Sequence, residues 1–119
     1  MKLFLDDTRN PYDVFMNTVD FDYYENQGWT IVRSHDEFVK FITDKGVPSL
    51  ISFDHDLEFS HYLTENQYNI DYDKMSVKTG YHSAKWLIEY CNVRGIDLPK
   101  TKVHSQNPEG KKNIESLFV

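Results

Sequence analysis

Three short clusters carry the reactive side chains of this chain. Asp6-Asp7 follows the apolar run Leu3-Phe4-Leu5, Asp54-His55-Asp56 follows Leu50-Ile51-Ser52-Phe53, and His104-Ser105, with Asn107 close behind, follows Val103. Adjacent carboxylates hold hard divalent cations through oxygen, and imidazoles move protons near neutral pH. Hydroxyls, side-chain amides and the free N–H groups at helix starts bind phosphate oxygens. Singly, each residue also has an ordinary reading. Asp-Asp suits turns and caps, a lone His104 suits a hydrogen-bonded structural role, and Thr79 and Asn107 suit helix caps. The two readings separate on whether the preceding elements bring the clusters together.

Each cluster follows a segment that reads as a buried strand: Lys2 to Leu5, Leu50 to Phe53, and the brief Thr101 to His104. Trp29 to Arg33 adds another by its β-branched and aromatic content. Helical patterns lie between them. Asn10-Pro11 caps and opens a weak one carrying Val14, Phe15 and Val19. Ser34 and Glu37 form a capping box before Phe38, Phe41 and Ile42, and Gly46 ends that helix. Thr79 caps the stripe Ala84, Leu87, Ile88 and Cys91 up to Gly95, and Asn107-Pro108 opens a last helix burying Ile114, Leu117 and Phe118.

Strands alternating with helices predict an α/β domain: a small three-layer parallel sheet of about four strands with flanking helices. In such sheets ligands bind beyond the carboxyl ends of the strands, where strand order reverses. The three clusters are therefore expected at one edge, with the helix starts at Thr79 and Asn107 beside them. Acids on one side and amides on the other suit a divalent cation bridging to a phosphoryl oxygen. Arg9 and Arg33 also follow strands and are placed to bind phosphate. A shared site requires Asp6, Asp54 and His104 to lie within about 10 Å of one another.

Composition bounds the rest. At 119 residues, 39% hydrophobic and 15% aromatic, the chain suits one globular domain spanning 1–119. A mean hydropathy of -0.62 gives it a polar surface. Its net charge of -6, with 13 scattered basic residues, argues against an extended nucleic-acid groove. A small phosphate ligand is not excluded. Cys91 has no disulfide partner and reads as an inert core thiol. No leader pattern opens the chain and no apolar run reaches membrane-spanning length, so the expected location is the cytoplasm. The polar stretch 58–78 reads as a lid or insertion, whose tyrosines suit packing over the domain or stacking on a base. His35, His61 and His82 read as surface or capping residues.

LFLDDTRNP (Leu3 to Pro11), ISFDHDL (Ile51 to Leu57), the pair Thr79-Gly80 and VHSQNPEG (Val103 to Gly110) together resemble the cyclic-phosphate processing receiver-like domain. That family is regarded as derived from the response-regulator receiver and occurs in bacteria and their phages. The resemblance implies a receiver-like (flavodoxin-like) fold and a role in processing cyclic phosphates on nucleotides or RNA ends. It puts Asp6 and Asp7 where receivers hold their Mg²⁺-binding pair, Asp54 where they keep the phosphoacceptor aspartate, and Ser105 near their β4 hydroxyl residue. Receivers continue to a further strand bearing a lysine that pairs with the acyl phosphate, whereas this sequence reads as helix from Pro108 toward Val119 and offers no counterpart to that lysine. The expectation therefore turns away from phosphorelay signalling. His55, Asp56 and His104 are additions that a receiver does not require.

The expected activity is a metal-assisted phosphoesterase. Asp6, Asp7, Asp54 and Asp56 would hold Mg²⁺ or a similar ion, His55 and His104 would share acid and base work at Asp54's side, and Arg9, Ser105, Asn107 and Thr79 would hold phosphate oxygens. The alternatives are a module that binds a cyclic nucleotide or other phosphate ligand without cleaving it, and a degenerate signalling receiver.

Overall fold

Short apolar runs flanked by turn residues become four strands, and the computed structural model describes them within residues 1–15, 28–57, 72 and 78–119. They are β1 (Lys2–Leu5), β2 (Trp29–Val32), β3 (Leu50–Phe53) and β4 (Lys100–Val103). All pair in parallel, in the order β2-β1-β3-β4. The fold is flavodoxin-like α/β. From β1 the chain steps to one side for β2, then returns past β1 for β3. Strand order thus reverses between β1 and β3, whose carboxyl ends open the crevice in which such folds bind ligands.

Side chains alternate across each strand, so the sheet feeds two cores. On one face Leu3, Leu5, Ile51 and Phe53 pack with Phe38, Ile42, Leu87, Cys91 and Ile114. These residues come from α2 (His35–Lys45), α3 (Gly80–Arg94) and α4 (Pro108–Leu117). On the other face Phe4 packs with Val14 of α1 (Pro11–Phe15), flanked by Trp29 and Ile31. Burying a large apolar side chain contributes about 1.5–3 kcal/mol, so the central strands β1 and β3 anchor the domain.

The caps follow the sequence closely. Ser34 Oγ accepts the Glu37 N–H at 3.1 Å, while Glu37 Oε1 reaches one residue further back than a capping box predicts, to the Arg33 N–H. Gly95 closes α3 in the left-handed conformation, φ 65°, which spares a side chain the Cβ clash. Cys91 is buried and burial pushes its thiol pKa up, as an inert core thiol requires. β4 starts and ends one residue earlier than expected, leaving His104 just past the strand. Val19, His61 and nearly all of the 58–78 lid assignment lie outside the described residues. Among the described residues, no helix is long and apolar enough to cross a membrane.

Candidate functional site

One ladder hydrogen bond beyond each strand fixes a site residue. The Asp6 N–H donates to Val32 O at 3.1 Å, the Asp54 N–H to Leu5 O at 2.9 Å and the His104 N–H to Phe53 O at 2.9 Å. The backbone that carries these three side chains is therefore still part of the sheet. Adjacent strand ends then bring one ligand atom each of Asp6, Asp54 and His104 within 4.8 Å of one another. Asp7 and Asp56 stand outside this trio.

Asp6 Oδ1 accepts the N–H groups of Thr8 (3.0 Å) and Arg9 (2.8 Å), and Oδ2 accepts from Arg9 Nε and His104 Nε2, each at 3.0 Å. The His104 ring stacks on Phe4, with centroids 4.2 Å apart, and its Nδ1 lies 2.7 Å from Ser52 Oγ. Phe4 and Ser52 are register partners on β1 and β3, and His104 follows Lys102, the partner of Ser52, by two positions on the same face. Arg9 Nη2 reaches Asp54 Oδ1 at 3.5 Å and the His104 carbonyl at 3.4 Å. Arg33 Nη1 donates to the carbonyls of Asp6 and Arg9, closing the loop from behind.

A second group adjoins the first through the Asp54-His55 bond. The chain bends at His55, whose Nδ1 is 2.7 Å from Asp56 Oδ1 and whose Nε2 is 2.8 Å from Tyr72 Oη. Asn113 Nδ2 donates to the same tyrosine oxygen at 3.0 Å. Asn107 Nδ2 approaches both Asp56 oxygens at 3.4 and 3.5 Å, its Oδ1 caps α4 at the Gly110 N–H, and its own N–H donates to Ser105 Oγ. Two glycines permit the bend. A Cβ on Gly80 would lie 1.7 Å from the Asp54 carbonyl oxygen, and one on Gly110 would lie 2.4 Å from His55 Cγ. The Gly80 N–H donates to His55 O at 2.8 Å, so the start of α3 is bonded to the end of β3.

The sequence model of the cyclic-phosphate processing receiver domain matches residues 1–119. The chain belongs to that family. No curated protein and no solved structure matches it significantly.

Electrostatics distinguish the two aspartates of this receiver domain. Burial pushes Asp6 upward, but the His104 hydrogen bond and the Arg9 and Thr8 amides outweigh it and hold the carboxyl at about 2. Asp54 is raised to about 8 by burial and by the charge of Asp6, with Arg9 opposing. Burial lowers the pKa of His104 against the pull of Asp6, which favours a neutral imidazole. Asp7 is raised by burial and by Asp6. Asp54 Oδ2 and Asp7 Oδ1 are buried with no hydrogen-bond partner among the described residues.

The receiver domain thus divides the residues singled out from its sequence. Asp6, Asp54, His104 and Arg9 converge, whereas His55, Asp56, Ser105 and Asn107 make up the second group. The Thr79 N–H is engaged by His82 Nδ1 at 2.9 Å, with His82 completing the cap of α3. Sequence reasoning passed over Ser52, Phe4 and the glycine contacts, and weighed Tyr72 only as packing or base stacking. Ser52 had a signal: it is the polar residue of an otherwise apolar strand, two positions before Asp54.

Proposed function

We propose that this receiver domain is a metal-assisted phosphoesterase that opens cyclic phosphates of nucleotides or RNA ends. The observation that carries the reading is the convergence of Asp6, Asp54 and His104 within 4.8 Å, with Arg9 against both carboxylates. The donor set fits a divalent cation such as Mg²⁺: two carboxylates, a neutral imidazole, and in Asp54 Oδ2 a buried oxygen that nothing else described satisfies. Asp6 and Asp54, with His104, would hold the ion. When bound it would polarise a phosphoryl oxygen and acidify a water molecule.

The remaining roles follow from the chain's own groups. The Arg9 side chain is 25% exposed, so its guanidinium reaches the mouth of the site, where its planar fork suits two non-bridging phosphate oxygens. Ring opening forms a bond from a water oxygen to phosphorus, with that water's proton passing to solvent, and breaks one ester bond, so the departing oxygen must gain a proton. Tyr72 is the donor this reading assigns. His55, paired through Nδ1 to Asp56 Oδ1, brings Nε2 within 2.8 Å of Tyr72 Oη, and Asn113 Nδ2 donates to the same oxygen, so two neighbours are in place to support the oxygen once its proton is given up. Burial is the main cause of the rise of the Tyr72 pKa to about 12, which keeps that proton in place at neutral pH.

A second reading, binding without cleavage, is favoured by the depth of the histidines. The His104 side chain is 0% exposed and that of His55 1%. One experiment separates the two. The protein is incubated with a divalent cation and a 2′,3′-cyclic mononucleotide, alongside Asp54→Asn. The phosphoesterase reading expects a phosphomonoester product and a loss of about a hundredfold or more in the variant, as for removal of one charge-stabilising group. Nucleotide recovered intact but bound supports the second reading, and neither turnover nor binding overturns both.

A further inference from the structure

The placement of His104 says which kind of ion the site takes. We infer that Asp6, Asp54 and His104 Nε2 form a nitrogen-containing site for a first-row transition ion, of the Zn²⁺ type, in preference to Mg²⁺. The inference rests on the cation-binding half of the proposed function and not on its chemistry. Mg²⁺ is a hard ion that prefers oxygen and keeps much of its water, whereas imidazole suits zinc and other later first-row ions. A site built for Mg²⁺ gains little from a buried imidazole, and this one places a ring nitrogen of His104 within 4.8 Å of both carboxylate ligand atoms, with Nε2 3.0 Å from Asp6 Oδ2.

The surroundings of His104 are those of a metal-binding histidine. Phe4 stacks flat on the ring, with an interplanar angle of 9°, and fixes its plane. Ser52 Oγ, 2.7 Å from Nδ1, fixes the other nitrogen. In the ion-free protein Nε2–H donates to Asp6 Oδ2, so Nδ1 accepts from the serine hydroxyl. Binding an ion at Nε2 requires the other tautomer, with Nδ1–H donating. A hydroxyl can donate or accept, so Ser52 supports both tautomers without moving. An aspartate or an amide N–H at that position would favour only one.

A second observation points to an ion. Asp54 is 2% exposed, yet its Oδ2 has no partner among the described residues. Arg9 covers part of the deficit, with Nε 3.0 Å from Asp6 Oδ2 and Nη2 3.5 Å from Asp54 Oδ1. Its guanidinium supplies positive charge against both carboxyl groups. An ion entering the trio takes the oxygens Arg9 now holds and releases the guanidinium toward solvent, where a phosphate would meet it.

Metal binding tests this directly, without a nucleotide. The full chain is titrated calorimetrically with Zn²⁺, Mn²⁺ and Mg²⁺, and the Mn²⁺-loaded protein is examined by pulsed EPR for a directly bound nitrogen. Wild type should show that nitrogen and bind Zn²⁺ and Mn²⁺ more tightly than Mg²⁺. Ser52→Ala, which spares all three ligands, should weaken Zn²⁺ about tenfold or more, as loss of a ligand's orienting partner does. Mg²⁺ should change little. His104→Gln should lose the nitrogen signal and the preference together, and Arg9→Gln should bind all three ions more tightly. Mg²⁺ binding as tightly as the others with no nitrogen signal overturns the inference while leaving the phosphoesterase reading intact. No binding of any ion by folded wild type overturns both.

Discussion

Asp6 Oδ2 and His104 Nε2 lie 3.0 Å apart, joining positions 98 residues distant in sequence, and neither side chain touches solvent. With the Thr8 and Arg9 amides, this bond holds Asp6 at about 2, below its reference of 3.8. A depressed carboxyl stabilises the fold above its unfolded pKa, and that contribution is lost as pH falls through the folded value. Asp54, raised from 3.8 to about 8, has the opposite sign: its contribution is complete below the unfolded pKa and is lost as pH rises toward 8. Ion-free protein should therefore lose stability on both sides of about pH 4, and Asp54→Asn should flatten the alkaline limb. At about pH 8 the variant should melt roughly 4 °C or more above wild type. Urea midpoints across this range check it. Parallel decline of both proteins above pH 5 would refute the assignment of that limb to Asp54.

Gly80→Ala and Gly110→Ala should both destabilise, although alanine favours a helix interior by about 1 kcal/mol over glycine. At Gly80 the new methyl meets the Asp54 carbonyl, on a residue whose N–H is bonded to Leu5 O in the sheet, and overpacking of that kind costs about 3 kcal/mol or more. At Gly110 it meets the His55 ring, a buried side chain held at both nitrogens but not backbone, at a cost of about 1–3 kcal/mol. Denaturant melts of the two variants should preserve that order. A Gly80→Ala protein as stable as wild type would mean that α3 does not sit against the end of β3.

Arg9→Gln should weaken the ion-free fold by about 1–3 kcal/mol, because it takes the charged donor from the buried Asp6 carboxylate and the cation beside Asp54. A saturating divalent cation should restore most of the loss, since a ligand that binds only the folded state stabilises it. Thermal melts with and without Mn²⁺ measure this. Equal deficits in both conditions would show that Arg9 acts through packing and not through its charge.

Tyr72→Phe removes one hydroxyl that serves both His55 Nε2 and Asn113 Nδ2. Leaving buried polar groups unsatisfied costs about 1–3 kcal/mol. The variant should lose about that much stability, together with the proton-donor step of the proposed reaction. Turnover of a cyclic phosphate substrate bearing a strongly acidic leaving group, which needs no proton, should survive. An equal loss on both substrates would remove Tyr72 from that role.

Much of the domain was readable from local chemistry. Leu3-Phe4-Leu5 before Asp6 and Leu50 to Phe53 before Asp54 announced central strands because both faces of each are apolar or small, and Ser34, Thr79 and Asn107 announced helix starts by their capping groups. Convergence of Asp6, Asp54 and His104 followed from sheet topology alone, since parallel strands present their carboxyl ends at one edge. What escaped depended on contacts that no spacing encodes. Asp54, His55 and Asp56 look like one cluster in sequence, yet the bend packed against Gly80 and Gly110 turns Asp54 toward Asp6 and His55 toward Tyr72. Arg9 looked like a phosphate ligand awaiting its partner, and only the three-dimensional structure shows it lying on the carboxylates.

The two oxygens of Asp6 divide their work: Oδ1 accepts the two loop amides, and Oδ2 faces Arg9 and His104. An arriving ion can therefore exchange partners at Oδ2 while the Oδ1 bonds continue to hold the loop's shape. Capture of the inferred ion then asks for the departure of one arginine side chain, the release of the Asp54 proton and the shedding of water by the ion. The loop keeps its Oδ1 bonds throughout, so an ion bound as inferred would come and go without refolding the loop.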